Sequence, residues 1–251
     1  MSVDVVDLRD FYESPLGTVA HRMVARVIGQ MWNDLRGLRL VGIGFAIPYL
    51  PAIASECERA LAVMPGRQGA VIWPGPAASA TLLADPLILP LGDSSIDRVL
   101  VVHALETAED PAEFVGEISR ILVPGGRAIL VCPNRRGLWA RMDGNPFGQG
   151  QPFSRRQLRR LMRDTQLEPE RWAETLYVPP IASGMVLRGA GAWERVGVTL
   201  SLPFAGLHVV EAAKQFQRPI PVRERRRRTS PSPVFVPVPA ARIANEPGPC
   251  A

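Results

Sequence analysis

Sulfur and imidazole are scarce in this chain. Three cysteines, Cys57, Cys132 and Cys250, and three histidines, His21, His103 and His208, are scattered over 251 residues. No two cysteines have CxxC spacing, which excludes the common zinc modules and disulfide frameworks and suits a reducing compartment. The histidines are too dispersed to suggest a metal site, and no metal is expected. No apolar run approaches the roughly 18 residues that a membrane-spanning helix needs. The first stretch, MSVDVVDLRDFYESP, is acidic and has no basic-then-apolar leader pattern. A cytoplasmic protein with no membrane partner is the expectation.

Net positive charge is also missing from most of the chain. The formal net charge is +5, but the segment from Pro219 onward holds six arginines against two glutamates and so carries +4 of it. A basic face for nucleic acid is therefore not expected on the preceding residues. That segment has eight prolines in 33 residues. It has too little apolar surface to offset its ordering entropy, and a disordered tail over 219–251 is expected.

What the chain does contain is a regular alternation of strand and helix signals. Apolar positions at Val19, Met23, Val24, Val27, Ile28 and Met31 recur at helical spacing. "LRLVGIG" (38–44) reads as a buried strand, followed by a helix over 47–60 opened by Pro48. "RALAVM" and "ATLLAD" are the next two strands. "DRVLVVHAL" is too continuously apolar for a half-exposed strand, as expected when helices cover both sheet faces. Asp110 and Glu113 form a capping box for a helix that "LVPGG" closes, and "RAILVCP" is the fifth strand. Ser154 and Gln157 open another helix, with Leu158, Leu161 and Met162 inward and the arginines at 155, 156, 159, 160 and 163 on a solvated face. "RWAETLYV" and "GLHVVEAAKQF" are a final strand pair, with an inserted helix at about 185–200 between them. The pattern implies one α/β domain over 1–218. It is Rossmann-like and doubly wound, with a mostly parallel seven-stranded sheet and a C-terminal antiparallel pair.

The turn Gly42-Ile43-Gly44 raises a nucleotide-binding question. A dinucleotide fingerprint needs a third glycine where Ile47 stands, which counts against a nicotinamide cofactor. The ordered series "LVGIGFA", "LLADPLILPLGDSSIDRVLVVHALE" and "DPAEFVGEISRILVPGGRAILVCPN" resembles class I S-adenosylmethionine-dependent methyltransferases of the type 11 branch. The likeness covers about 36–135. Its most specific pieces are the step from Asp85 to Pro90, Asp97 entering the fourth strand, and E-x-x-R-x-L-x-P-G-G from Glu117 to Gly126.

The resemblance implies S-adenosyl-L-methionine as cofactor and methyl transfer to a small-molecule acceptor. It assigns Gly42, Gly44 and Ala46 to the turn beneath the methionine part, and Asp85 with Pro86 to the adenine. Met64 takes the position that usually holds the ribose, and His103 lines the transfer cleft. His103 is the candidate general base and Glu106 its alternate. The long segment 133–154 offers Arg135, Arg136 and Trp139 for an anionic or aromatic acceptor.

Two departures, Leu40 and Met64 where the family usually has acidic residues, leave a second reading open: a non-enzymatic relative that keeps the fold as a binding or regulatory partner. The tail reading carries its own test. Truncation after Arg218 is expected to leave the melting temperature within about a degree or two of the full chain.

Overall fold

Two helices lead the chain in a computed structural model that describes residues 4–200 and 202–215. The expected disordered tail lies outside them. Asp4 caps α1 (Val5–Glu13) by accepting a hydrogen bond from Val6 N. Ser14 ends α1 and caps α2 (Pro15–Met31), its Oγ accepting from Gly17 N at 3.0 Å. One short polar residue thus makes the corner between two helices. The sequence reading did not anticipate α1.

The alternating part follows as β1 (Arg39–Gly44), α3 (Leu50–Ile53), β2 (Arg59–Pro65), β3 (Thr81–Ala84) and β4 (Ile96–Val102). It continues through α4 (Pro111–Ile121), β5 (Leu122–Pro133), α5 (Arg155–Asp164) and β6 (Leu167–Thr175). The last elements are α6 (Gly184–Arg188), α7 (Ala190–Thr199) and β7 (Leu207–Lys214). The strands form one seven-stranded sheet in the order β3-β2-β1-β4-β5-β7-β6. Strands β1 to β5 pair in parallel, and β7 runs antiparallel to both β5 and β6. The fold class read from the sequence is the one observed.

Period-two alternation divides the core between the two faces of the sheet. Leu40, Leu100, Val102, Ile129 and Val131 pack with Val24 and Ile28 of α2. Val41, Ile43, Val99, Val101 and Leu130 pack with Phe114, Ile118, Leu158 and Met162 of α4 and α5. Each capping box expected at α4 and α5 has its Asp110 or Ser154 in place, and the reciprocal Gln157 bond is present at α5.

Two expectations need correction. The helix expected over 47–60 is a single turn, α3, because the backbone beyond it is used elsewhere: Glu56 O accepts from Gly37 N, and Glu58 N donates to Leu38 O. "LVPGG" does not merely close α4. Leu122 already pairs with Ile96, and a register shift carries the chain into the main part of β5.

One buried charge ties α2 to the sheet. Glu211, in the middle of β7, is fully buried and accepts from Trp32 Nε1 at 2.9 Å. Arg171 pairs with the same carboxylate, and Arg127 approaches it at 3.3 Å. Burial alone would raise the Glu211 pKa, but these donors hold it below its ordinary 4.5. A depressed carboxylate contributes stability above its unfolded pKa and loses it as pH falls through the folded value. Glu211→Gln is therefore expected to lower the urea-derived stability at pH 7 by about 2–4 kcal/mol. The gap to the wild type should close as pH drops below about 4.5, which pH-stepped urea titrations would read.

Candidate cofactor and active-site crevice

β1 and β4 are neighbours from which the chain winds in opposite directions, so the crevice beyond their carboxyl ends is the switch point of the sheet. Gly44 ends β1 at φ +78°, and Phe45 N donates to Val102 O at 2.8 Å. A side chain at Gly44 would run into that carbonyl and into Ala104. At Gly42 an added Cβ would lie 2.8 Å from Ala46 Cβ. Both glycines are thus required by the protein's own packing, strand on strand and strand on helix.

His103 follows β4 with φ +52° and is only 1% exposed. Its Nε2 is 3.0 Å from the Tyr12 hydroxyl, and its Nδ1 faces Glu106 Oε1 at 3.3 Å. Tyr12 is also 3.0 Å from the Tyr49 hydroxyl. Gln68 Nε2 donates to the His103 carbonyl, and the Phe147 ring lies 4.5 Å from the imidazole. Burial raises the pKa of both tyrosines, and Tyr49 and Glu106 add to the rise at Tyr12. Both hydroxyls therefore keep their protons at neutral pH. Tyr12 can donate to Nε2 and Tyr49 to Tyr12, which leaves His103 Nδ1 facing Glu106 without a hydrogen bond.

Around this line stand buried polar atoms with no hydrogen-bond partner: Gln68 Oε1, both Glu106 carboxylate oxygens and Asn145 Oδ1. A buried carboxylate without donors is costly, and such groups call for an explanation. Their position at the switch point fits a ligand that brings donors or positive charge. The apolar corner of the crevice is different. Met64 is fully buried and packs under Leu8 of α1 and against Phe45, while its sulfur accepts from Val71 N. The position expected to meet a ribose is covered by α1. Asp85 is exposed beyond β3 and accepts from Leu87 N at 2.9 Å, with Pro86 half-buried beside it. Ala46 is buried behind the turn.

The acceptor-side residues separate. Arg135 is exposed. Arg136 is exposed and lines a groove bounded by α2, β6 and α7. Trp139, expected to face an acceptor, is fully buried, its Nε1 donating to Val178 O at 2.8 Å. This corrects the assignment: the loop 133–154 folds back, and Trp139 with Phe147 becomes core. Sequence reasoning missed Tyr12, Tyr49 and Gln68. The spacing of Val5, Leu8 and Tyr12 was a usable helical signal; Gln68 offered none.

Known proteins share part of this sequence and the fold. A family model described as a methyltransferase domain matches residues 65–130. That match spans about a quarter of the chain. An uncharacterised methyltransferase of Mycobacterium tuberculosis is 40% identical over 73 residues, 28% of this chain and 30% of that protein. The matched region thus spans less than a third of the curated relative. Among solved structures, a methyltransferase from Thermotoga maritima, described as a possible histamine N-methyltransferase, superposes with a TM-score of 0.58 at 17% identity. That match covers 84% of this chain and 96% of the other. Geranyl diphosphate C-methyltransferase from Streptomyces coelicolor gives 0.53 at 16% identity, covering 77% and 81%. At these identities the shared property is the fold. No helix of the described residues is long and apolar enough to cross a membrane.

α1 closes the crevice through Leu8 and Tyr12, so its docking can be tested locally. Leu8→Ala removes a fully buried leucine, a change worth about 2–5 kcal/mol when the site cannot relax. Because α1 is peripheral to the sheet, the loss is expected as local undocking. Trypsin should then cut after Arg9 several-fold faster than in the wild type, with the urea midpoint nearly unchanged.

Proposed function

We propose that this chain is an S-adenosylmethionine-dependent methyltransferase acting on a small-molecule acceptor in the cytoplasm. The observation that carries the reading is a set of buried polar atoms without hydrogen-bond partners, Gln68 Oε1, His103 Nδ1 and the Glu106 carboxylate, at the switch point of a fold shared with methyltransferases. Gly42, Gly44 and the Ala46 turn would support the methionine part, and Asp85 with Pro86 would receive the adenine. The ribose would lie against Met64 once Leu8 lifts away. When bound, S-adenosylmethionine supplies a methyl group on a sulfonium, open to in-line displacement.

The residues of the chain contribute position, exclusion of water and proton handling. α1 and the Phe147 turn cover His103, so closure dries the site. Where the acceptor must lose a proton, His103 Nε2 takes it after Tyr12 moves off, and Glu106 facing Nδ1 stabilises the imidazolium. Arg135, at the exposed rim, is the candidate contact for an anionic acceptor group. The small-molecule character of the acceptor is supported by a fold relative whose complex holds geranyl diphosphate.

A specific observation favours a second reading, a fold relative without methyl transfer. Met64 offers no carboxylate to a ribose, and Leu8 seals the corner above it. A hydrogen bond to a charged group is worth roughly 1.5–3 kcal/mol, so its absence weakens binding about ten- to a hundredfold.

Calorimetric titration with S-adenosylhomocysteine separates the two. Micromolar binding is expected, and Asp85→Asn should weaken it about tenfold or more while leaving the melting temperature unchanged. No heat at millimolar ligand overturns the enzyme reading in favour of the second.

A further inference from the structure

A second concavity lies toward the β6 edge of the sheet. It is an open groove of about 1030 Å³ between α2, the N-terminus of α5, β6 and α7. Its charge is one-sided. Arg26, Arg136, Arg155, Arg156 and Arg195 line it, from four different parts of the chain. Among the described residues none of the five is in ion-pair range of a carboxylate.

Two acidic residues also line the groove, and both are already engaged. Glu194 of α7 accepts from Thr175 Oγ1 at 2.5 Å and from the backbone N–H groups of Leu176 and Tyr177. Glu174 faces His208 Nδ1 at 3.4 Å, and that imidazole is the main reason its pKa lies below the ordinary value. Tyr177 stays a neutral hydroxyl, its pKa pushed up to about 12 by burial and by Glu174 and Glu194.

His208 supplies the second, independent observation. It is 3% exposed and lines the groove; its Nδ1 faces Glu174, and its Nε2 has no hydrogen-bond partner. A buried imidazole nitrogen left in that state is a polar group waiting for a ligand atom. Beside it, the Trp172 ring carries the Arg155 guanidinium at 5.0 Å, which holds one cation in place at the mouth. Met23, Val27, Val198 and Pro203 add apolar wall. Ser154, which caps α5, and Arg155 and Arg156 of its first turn belong to this lining.

We propose that the groove is a binding site for a small organic oxyanion: a phosphate or carboxylate head held by His208, Arg155 and Arg195, on an apolar body lying along Trp172 and Val198. It is not the methyl-transfer crevice. Through the pairs Val102–Val131 and Cys132–His208, His208 stands two strands away from the end of β4, roughly 10 Å along the sheet edge. The proposal therefore does not rest on cofactor binding.

The test is calorimetric titration of the full chain with 1-naphthyl phosphate, 1-naphthoate, inorganic phosphate and 1-naphthol. At least one naphthyl anion should bind ten times more tightly than both inorganic phosphate and naphthol, and the preferred anion identifies the head group. Arg155→Gln and Arg195→Gln alter exposed side chains and should keep the wild-type melting temperature. Each is expected to weaken the preferred anion about tenfold and to leave S-adenosylhomocysteine titrations unchanged. Anion binding no tighter than naphthol, or equally tight in the double arginine variant, overturns the proposal. Naphthyl anion binding without any S-adenosylhomocysteine binding would sink the methyltransferase reading and leave this one standing.

Discussion

The hydrogen bond from Phe45 N to Val102 O fixes the centre of this molecule. It brings the end of β1 against the end of β4, and it forms only because Gly44 can hold a left-handed conformation without a side chain. From that contact the chain is aimed. Phe45 is directed under α1, Ala46 and Leu50 back onto the sheet, and His103 outward from β4 in its own left-handed conformation. A bulkier residue at Gly44 would separate the two strands, and with them the walls of the crevice.

The crevice sets two opposite demands side by side. Its apolar corner, Leu8 on Phe45 and Met64, is closed as tightly as any part of the core. A few residues away, Glu106 and Gln68 keep buried oxygen atoms without donors. Hydrophobic contact holds α1 down, while the unsatisfied polar groups beneath it work against closure. Natural folds accept such conflicts mainly at functional positions. One helix covers both halves, through Leu8 and Tyr12, so access to either is coupled to the same movement.

Arginine placement shows a similar division. On α5, Leu158 and Met162 face the core, and the sequence pattern assigns every arginine to a solvated face. In three dimensions they part company. Arg160 and Arg163 pair with Asp164 and Glu168, whereas Arg155 and Arg159 lie over Trp172. The arginines at the helix start are thereby joined to Arg26 and Arg195, which are remote in sequence. The described part of the chain is nearly neutral overall, yet one groove is strongly cationic.

Much of the fold was legible because local rules were enough for it. Continuous apolar runs marked β4 and β5 as strands covered on both faces, Asp110 and Ser154 marked helix starts, and glycines marked the β1 turn. Met64 and Asp85 could be placed at the ends of β2 and β3 for the same reason. The extent of the helix after β1 was not legible, since Glu56 and Glu58 bond to backbone before β1. Nor could the pattern show that Trp139 is core, because its partner is Val178, on a different part of the chain. Sequence alone determined the periodicity, the caps and the turn glycines, which depend on near neighbours along the chain. Tertiary structure decided that Tyr12 meets His103, that α1 covers Met64, and that arginines from four segments share a groove with a buried His208. Those contacts join residues far apart in sequence, and only the assembled sheet with its packed helices brings them within reach.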